Sequence, residues 1–497
     1  MCKHTDIIVQ VAVGGNSKRL MLSKVQREGC HILVATPGRL NDLLTDEFSR
    51  VRAPGLTTLI LDEADRLLDD GFSRDIEAII DLLPDRNEVD RQTLLFSATM
   101  PKEVMHLVRS TLKPGFSFVQ TVKPGDVATH EKVPQKVAIT AGVENFVPCL
   151  IELVKREQAK YAEQASTGEP VLPFKAIVYL QATANVELTY QIFENLRDPA
   201  GGQFARHLLA PTEILQIHGQ LSQAQRTNVA DRFRRSKSAI LFSTDVTARG
   251  MDFPNVSHVV QFGLPSNREQ YIHRIGRTGR ADKGGEAWLI IQNAEASNAR
   301  RMLTKLPIVA DKSLEAAVVD MSKDAQLPAS LAATLTQAGE AAKSVSRSVK
   351  NSAYNSALSQ NRMGRSYVEV LNRWSRFGWG METPPEVSHS MASKMGLSAR
   401  DGLNIASRGS RHNDDENDAF GNDSRGFGGG RGFSGGNRGF GSGSGGSRSF
   451  GGGREERGFG GRGKGGFGGN RGGSRVGRGS GGEKGGRGFS GGDRASF

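Results

Sequence analysis

Three arginines at steps of three, Arg274, Arg277 and Arg280, are the residues whose spacing first suggests chemistry. They lie in the run YIHRIGRTGRADK (271–283), with His273 ahead of them and glycines between them. This spacing places the arginines near one helical face or at a tight helix-to-loop corner. A guanidinium is a planar fork of donors that suits a phosphate or a carboxylate. Two interpretations follow: a solvated basic helix end, or arginine fingers that reach a nucleotide's terminal phosphate.

The second chemical signal is acidic and lies in LTTLILDEADRLL (56–68). A buried-strand pattern leads directly into Asp62, Glu63 and Asp65. In open α/β sheets, groups at the carboxyl end of a strand face the ligand crevice. A carboxylate there can hold Mg²⁺ through water, which suits Asp62, while Glu63 can position and polarise an attacking water. The alternative is an acidic helix N-terminus favoured by the helix dipole.

Four further turns carry polar or glycine residues after apolar runs. Hydroxyl residues in SAT (97–99) suit a ligand crevice but are also typical helix caps. The turns VGGNS (13–17) and ATPGRL (35–40) present backbone N–H groups that suit phosphate oxygens. A buried strand also delivers STDVTARGMD (243–252) to a loop, where an acidic residue can hold a ribose hydroxyl. Plain βα turns explain either of the two glycine-bearing turns, VGGNS or ATPGRL, when it is taken in isolation.

The elements that must position these motifs follow an alternating pattern. Short β-branched or aliphatic runs alternate with helical patterns, which is typical of a parallel sheet with both faces covered. In the first part of the chain the predicted strands are 7–13, 31–35, 56–61 and 92–96. The pattern restarts at Val137, and the later predicted strands are 176–180, 215–218, 239–244, 258–262 and 287–291, with helices such as 223–233 between them.

The sequence therefore predicts an α/β protein with two parallel-sheet domains, the first of them incomplete. After Ile291 the strand pattern ends, and Ala-, Ser- and Leu-rich helical sequence forms an extension that we expect to pack on the second domain. The predicted segments are a partial first domain (1–122), a linker (123–136), a second domain (137–295), a helical extension (296–397) and a disordered tail rich in Gly, Arg and Phe (398–497).

The charge of the chain is concentrated at one end. The net charge is +12, which indicates an anionic partner such as nucleic acid. Residues 421–497, the greater part of this tail, hold 12 Arg, 2 Lys and 5 acidic residues and therefore carry a net charge of +9. The tail repeats RGF five times and combines cations with rings that stack on bases, so we predict that it binds RNA. The alternative for the tail is a flexible, solubilising linker.

Cysteine spacing and apolar runs limit the other classes of function. Three cysteines, Cys2, Cys30 and Cys149, lie far apart, so a disulfide framework or a zinc site is not expected and a reducing compartment fits. No apolar run approaches the roughly 20 residues of a membrane span, so we expect no membrane partner.

Taken in order, these motifs resemble the DEAD-box family of ATP-dependent RNA helicases. The matching motifs are GG (14–15), TPGR (36–39), DEAD (62–65), SAT (97–99), QxxR (223–226), TDVTARGMD (244–252) and HRIGRTGR (273–280). The runs DEADRLLDDGF, ARGMDFPNV and LPSNREQYIHRIGRTGR, the helical extension and the basic tail are similar to the fungal mitochondrial branch whose members act as intron RNA chaperones. The resemblance implies two RecA-like domains that close around ATP and RNA, with ATP and Mg²⁺ as cofactors.

The resemblance also implies a role for each matching residue. The catalytic residues are Asp62, which holds Mg²⁺ through water, Glu63, and the fingers Arg277 and Arg280. The residues that couple the ATP state to the RNA grip are Asp65, Ser97, Thr99 and His273. Gly250 and Asp252 bind the nucleotide. The RNA-binding residues are Gly14, Gly15, Thr36, Gly38, Arg39, Gln223, Arg226, Thr244, Asp245 and Arg249.

The 497 residues depart from the family pattern in one respect. They contain no Q-motif, no PTRELA segment and no phosphate-cradling GxxxxGK[ST] loop, whose amides and lysine hold the β- and γ-phosphates. We therefore expect an N-terminally truncated chain that binds little ATP and is deficient in hydrolysis. A missing central strand also predicts unpaired strand edges and an incomplete core in the first domain.

The functional expectation is a monomeric, RNA-dependent ATPase that pulls apart short duplexes with little sequence preference and serves mitochondrial RNA splicing or folding. The nucleus or cytoplasm is the alternative location. The alternative function is a non-enzymatic RNA-binding protein, or pseudo-helicase, that uses the second domain and the tail. A DNA helicase is disfavoured because the motif set resembles the RNA-acting branch.

Overall fold

The computed structural model describes most of the chain up to residue 406. The described ranges are 4–69, 71–85, 89–100, 102–121, 133–167, 172–198, 206–248, 251–279, 284–360 and 365–406. We refer to residues 4–121 as the first region, to 133–310 as the second region and to 311–406 as the extension. Most of the predicted linker and residues 407–497 of the predicted disordered tail lie outside the described residues. The prediction that the disordered tail begins at residue 398 is wrong, because Ala399–Asp401 form a 3₁₀ turn and Asn404–Ile405 form a short strand.

The second region is built on one parallel sheet of seven strands. Their order is β11-β5-β10-β9-β6-β8-β7, and every neighbouring pair is parallel. The strands are β5 (Gln135–Thr140), β6 (Lys175–Tyr179), β7 (Glu213–Ile217), β8 (Ala239–Ser243), β9 (His258–Phe262), β10 (Glu286–Gln292) and β11 (Ile308–Ala310). The helices are α6 (Phe146–Ser166), α7 (Thr183–Glu194), α8 (Gln223–Arg235), α9 (Arg268–Ile275) and α10 (Ala296–Met302).

Both faces of this sheet are covered, which explains the continuous apolar runs in its strands. Every residue of β6, β8 and β9 is buried. Because side chains alternate along a strand, Val178 packs in one hydrophobic cluster with α6 and α7. The next residue, Tyr179, packs in the cluster of the opposite face together with residues of α8 and α9. The second region therefore has a core on each side of its sheet.

The first region has the same kinds of element but a different sheet. Its strands pair only two by two within the described residues, β1 with β2 and β3 with β4, both pairs parallel. The strands are β1 (Val9–Ala12), β2 (Ile32–Ala35), β3 (Thr58–Leu61) and β4 (Gln92–Leu95). The helices are α1 (Lys18–Glu28), α2 (Pro37–Thr45), α3 (Ala64–Asp69), α4 (Ser73–Leu82) and α5 (Lys102–Thr111).

One face of the β1–β2 pair is uncovered. Val9 lies opposite Ile32 and Val11 lies opposite Val34, and all four side chains are 40–52% exposed. The other face packs on a small cluster that includes Ala12, Met21 and Leu43. In β3, Ile60 is likewise 55% exposed. Within the described residues, the first region therefore has unpaired strand edges and only a small core.

The extension packs on the second region, as predicted. Its helices α11 (Ala329–Lys343), α12 (Arg347–Ser359) and α13 (Ser366–Arg373) contribute to the same hydrophobic cluster as α6 and α7. Arg373 also forms ion pairs with Glu144 (3.0 Å) and Asp320 (3.2 Å). The extension ends in a π-helical turn (Trp374–Gly378), β12 (Glu386–Val387), α14 (His389–Lys394) and β13 (Asn404–Ile405).

The nine strands predicted from apolar runs lie where expected, to within about two residues at each end. The prediction that strands end at Ile291 is wrong, because β11 pairs in parallel with β5 at the edge of the sheet. Three residues at an edge, two of them exposed, carry too short an apolar run to be recognised. Gln135 and Lys136, assigned to the linker, already belong to β5.

Candidate functional site

The acidic motif of the first region lies where β3 ends. Asp62 follows the last residue of this strand, and its carboxylate Oδ1 accepts a hydrogen bond from the Glu63 amide (2.9 Å). Phe96, the residue after the neighbouring strand β4, contributes its carbonyl, which accepts from the Ala64 amide (3.0 Å). The Ser97 hydroxyl then donates to the carbonyl of Thr99 (2.6 Å). Both predicted motifs therefore meet at one edge of the β3–β4 pair.

Glu63 adopts a backbone conformation that side chains rarely occupy. Its φ is +49°, in the left-handed region, where a non-glycine residue is uncommon. Such backbone strain is concentrated at functional sites, where the surroundings hold the residue in place. The side chain is half-buried, with a carboxylate oxygen 3.6 Å from Arg66.

Asp65 connects the two regions. It is 4% exposed, and its Oδ2 accepts a hydrogen bond from the Thr99 hydroxyl (3.0 Å). The same Oδ2 lies 3.5 Å from Nε2 of His273, which belongs to α9 of the second region. Three of the four predicted coupling residues therefore meet at one carboxylate oxygen, and Ser97 joins them through the Thr99 carbonyl.

The glycine-bearing turns of the first region also lie close together. Gly15, with φ of +80°, follows β1 in the exposed turn that it shares with Gly14. Arg39, in the first turn of α2, donates to the carbonyl of Asn16 (3.3 Å) and so joins the two turns.

The residues beside Arg39 leave polar groups available at the start of α2. Thr36 is the N-cap residue of this helix, its side chain makes no capping hydrogen bond, and it is exposed. Gly38 has open space where a Cβ would stand.

The QxxR motif opens α8 on the opposite side of this surface. Gln223 is the first residue of the helix, and a Cβ added to Gly15 would lie 3.8 Å from its Cβ. Arg226 is half-buried and donates through Nε to the Leu221 carbonyl (3.1 Å). The predicted RNA-binding residues of the two regions are therefore adjacent at this point.

The end of β8 carries the next predicted pair. Thr244 follows the strand and precedes a 3₁₀ turn that begins at Asp245. The Asp245 carboxylate accepts a hydrogen bond from Nε of Arg274 (2.7 Å), while 47% of the Asp245 side chain stays exposed. Arg274 itself is only 1% exposed. The sequence did not anticipate this pair, because the spacing of three arginines cannot tell which one turns inward.

Two further residues around Arg274 were not singled out from the sequence. Its guanidinium donates through Nη1 to Oε1 of Gln261 (3.2 Å) and lies 5.2 Å from the ring centroid of Tyr179. The Tyr179 hydroxyl donates to the Thr247 carbonyl (3.3 Å). Burial raises the pKa of this phenol to about 12, so it stays protonated at neutral pH. Tyr179 and Gln261 both lie within apolar strand runs, so nothing in the sequence indicated that they contact Arg274.

Arg277, a predicted finger, lies in the turn after α9. It donates through Nη1 to the carbonyl of Met251 (2.7 Å), next to the exposed Asp252 that was predicted to bind the nucleotide. The structure thus places the Arg277 guanidinium against the loop that carries Asp252. Arg249, Gly250 and Arg280 lie outside the described residues.

The histidine of the IHGQ run is buried at the end of β7. His218 is 4% exposed, and neither ring nitrogen has a hydrogen-bond partner among the described residues. Burial lowers the pKa of His218, which keeps the ring neutral at pH 7.

Comparison with known proteins tests the family. Residues 1–107 match the family model of the DEAD/DEAH box helicase, and residues 172–282 match that of the helicase conserved C-terminal domain. The chain is 37% identical over 408 residues to the mitochondrial ATP-dependent RNA helicase MSS116 of Phaeosphaeria nodorum, covering 82% of this chain and 69% of that protein. The chain belongs to the DEAD-box family of ATP-dependent RNA helicases.

A second relative of this DEAD-box protein is the mitochondrial ATP-dependent RNA helicase mss116 of Aspergillus fumigatus. The two are 44% identical over 420 residues, which cover 83% of this chain. The chain spans 63% of that relative, less than two thirds of its length.

The fold is that of a DEAD-box helicase with two RecA-like domains. A solved structure of the DEAD-box helicase Mss116 bound to ssRNA and UDP-BeF superposes with a TM-score of 0.60 at 26% identity. The match covers 81% of this chain and 76% of the Mss116 chain.

The acidic end of β3 fits a magnesium ion that is carried by a phosphate. Asp62 offers an exposed carboxylate whose Oδ1 already accepts from a backbone amide, which orients the group. Mg²⁺ takes oxygen ligands and keeps several waters, so one carboxylate with substrate phosphates is sufficient. No cluster of three or more His, Cys, Asp or Glu side chains across the described ranges forms a dedicated metal cage.

Within the same ranges, no helix combines the length and the apolar character needed to cross a bilayer.

Proposed function

We propose that this DEAD-box protein binds the RNA backbone and couples ATP binding and hydrolysis to the separation of short duplexes, as an RNA chaperone in mitochondrial splicing or folding. The observation that carries the proposal is the junction of Asp65, Thr99 and His273. This junction joins the ends of β3 and β4 to α9, so a change on the ATP side of the first region is transmitted directly to the second. Two fungal relatives whose names include "mitochondrial" support the location.

On the ATP side, each role rests on the chemistry of one residue. Asp62 would hold Mg²⁺ through water, and Mg²⁺ would supply charge neutralisation at the phosphates. Glu63 would orient the attacking water, while Arg277 and Arg280 would face the γ-phosphate. Gly250 and Asp252 would bind the nucleotide, with the Asp252 carboxylate accepting from the ribose.

On the RNA side, the exposed turns of both regions would contact phosphates and sugars. The residues are Gly14, Gly15, Thr36, Gly38, Arg39, Gln223, Arg226, Thr244, Asp245 and Arg249. The proximity of Gly15 to Gln223 supports one surface that continues across both regions. Contacts to the backbone carry no base information, so we expect little sequence preference. A solved relative bound to ssRNA supports the substrate class.

RNA binding and ATP hydrolysis depend on different parts of the chain. The 497 residues contain no GxxxxGK[ST] loop, so we expect them alone to bind RNA but to hydrolyse ATP slowly. The second candidate function, RNA binding without catalysis, is favoured by residues 421–497 of the tail, which supply nine net positive charges and repeated RGF.

Two matched arginine variants distinguish the candidates by RNA binding. Arg39→Gln lies in the first region and Arg226→Gln in the second, and both remove one cation from the proposed surface. The two-region surface predicts that each weakens binding of a fluorescein-labelled single-stranded RNA roughly tenfold. Arg52→Gln and Arg232→Gln remove the same charge from exposed sites elsewhere and serve as controls. RNA binding is measured by fluorescence anisotropy at several salt concentrations, because the tail's contribution to the affinity should fall strongly as the salt concentration rises.

The outcome of this comparison decides between the two functions. A loss with Arg226→Gln but not with Arg39→Gln supports the binding protein that uses only the second region and the tail. Equal, small effects of all four variants contradict both proposed binding surfaces and indicate that RNA binding depends only on the net charge of the chain. A duplex-separation assay with ATP then measures catalysis, with Glu63→Gln against the exposed Glu47→Gln as its control. Activity that is insensitive to Glu63→Gln rules out the proposed site.

A further inference from the structure

The most buried charged side chain near the site is one to which the motif comparison gives no role. Arg274 is 1% exposed and belongs to α9, directly after His273. Its guanidinium is held by Asp245 at 2.7 Å, by Gln261 at 3.2 Å and by the Tyr179 ring. These three partners come from three different parts of the sheet, so Arg274 is anchored at a unique position and α9 is anchored with it.

Arg274 and Arg277 connect α9 to both ends of one segment. Arg274 reaches Asp245, at the start of the segment 245–252, and Arg277 reaches the carbonyl of Met251, near its end. Thr247, near the start of the segment, is also fixed to the sheet. Its carbonyl accepts a hydrogen bond from the Tyr179 hydroxyl, and its own hydroxyl donates to the Ser243 hydroxyl (2.8 Å). Arg274 and Arg277 therefore tie Asp245 and the Met251 carbonyl to α9 and to the turn that follows it.

Stability alone does not explain a buried guanidinium. Taking a charge out of water is costly, and buried ion pairs are often replaced by apolar residues without loss of stability. Geometric definition is the better-attested use of such a pair, because a planar fork fixes both distance and orientation. The pair is also asymmetric: Arg274 is enclosed, whereas nearly half of Asp245 faces solvent, where a ligand can reach it.

We propose that Arg274 is a positioning residue that transmits RNA contact at Thr244 and Asp245 to His273 and Arg277. This inference rests on the proposed binding of RNA at the end of β8. An RNA hydroxyl that donates to the exposed side of Asp245 changes the carboxylate's pairing with Arg274. The change moves α9, and with it the imidazole that lies 3.5 Å from Asp65. Because such coupling is reciprocal, a change in the contact between Asp65 and His273 alters the RNA affinity by the same factor by which RNA binding alters that contact.

The test uses a spectroscopic signal that needs no ATP hydrolysis. In the full chain with ¹³C-labelled histidine, the His273 ring signal is assigned with His273→Asn among ten histidines. Saturating single-stranded RNA shifts this signal in the wild type. We expect Arg274→Lys, which keeps the charge but loses the fork, to reduce the shift to about half or less and to weaken RNA binding roughly fivefold. Asp245→Asn should reduce the shift equally, and the double variant no further.

The matched control is Arg232→Lys, which alters a single exposed pair with Glu213 (2.7 Å) in the same region and should leave the shift unchanged. Circular dichroism of each variant checks that it is folded, and Asp245→Asn keeps the test valid if Arg274→Lys does not fold. A folded Arg274→Lys chain with the full wild-type shift overturns the positioning role, as does additivity in the double variant. A wild-type chain that binds no RNA removes the proposed function and this inference together.

Discussion

The two regions of this protein are built from similar strands and helices, yet they bury them very differently. In the second region seven parallel strands form one sheet, and its central strands are inaccessible on both faces. In the first region four parallel strands form two separate pairs, and the aliphatic face of Val9, Val11, Ile32 and Val34 is open to solvent. Parallel strands are normally covered on both sides, so the stability of the whole chain should reside in the second region and the extension.

The first region positions its polar motifs even though its described strands form only separate pairs. The polar residues of the first region meet at the end of β3–β4 although only two strands pair there. A strand end and the turn after it define the local geometry of such a motif, whereas the rest of the sheet supplies rigidity. We therefore expect the first region to hold its motifs in place less firmly than the second.

The largest expected effect is in hydrogen exchange. Amides of β6, β8 and β9 should exchange at least about 10³-fold more slowly than those of β1–β4, because core strands open only with global unfolding. Exchange of the full chain, read by mass spectrometry of peptides, measures both sets together. Equal protection of the two sets would contradict the contrast and indicate that the exposed faces of β1–β4 are covered in solution.

A matched pair of isoleucines sharpens the comparison. Ile240 in β8 is fully buried, whereas Ile60 in β3 is 55% exposed. Ile240→Ala should lower the free energy of unfolding by ~2–5 kcal/mol, since it leaves a cavity in a packed core. Ile60→Ala should lower it by less than about 1 kcal/mol. Urea denaturation monitored by far-UV circular dichroism, which reports on the helices of both regions, gives both values, and a cost at Ile60 as large as that at Ile240 would refute the assignment of the core.

Acid should destabilise the second region through a buried histidine. His258 is 7% exposed, hydrogen-bonds Ser257 through Nδ1 (2.9 Å), and burial lowers its pKa to about 4. The unfolded chain takes up this proton near pH 6.5, so the contribution is complete above that pH and is lost as the pH falls towards 4. The loss at pH 5 is roughly 2 kcal/mol.

The variant His258→Phe isolates that effect. It keeps the ring that packs 4.8 Å from Phe174 but removes the titration. Urea midpoints at about pH 7 and about pH 5 should therefore converge in the variant relative to the wild type. An unchanged pH dependence would show that other groups are responsible for the acid sensitivity.

The smallest effect concerns two helix caps. Ser222 caps α8 with a reciprocal pair, accepting from the Gln225 amide (3.3 Å) while its own amide donates to the Gln225 side chain (2.9 Å). Ser17 caps α1 with a single bond to the Leu20 amide (3.4 Å). Ser222→Ala should cost about 1 kcal/mol of global stability, and Ser17→Ala only a few tenths, because α1 packs in the weaker region. Equal costs in urea denaturation would weaken the contrast.

Much of the architecture was predictable because its signals are local. The nine apolar runs mark their strands, and the capping sequence at Ser222 marks the start of α8. The short edge strand β11 was missed, since three residues at an edge need no long apolar run. The roles of Tyr179 and Gln261 were also hidden, because each lies within a run that reads simply as buried strand.

The sequence by itself determined the family and the order of its motifs, because each motif is a short run whose residue types are set by the chemistry at a strand end. Only the tertiary structure decided that Arg274 is enclosed whereas Arg277 is half-buried. Arg274 is inward because Asp245, Gln261 and Tyr179 converge on it from separate strands and turns. Such convergence depends on how distant parts of the chain pack, and a local spacing of three residues contains no information about it.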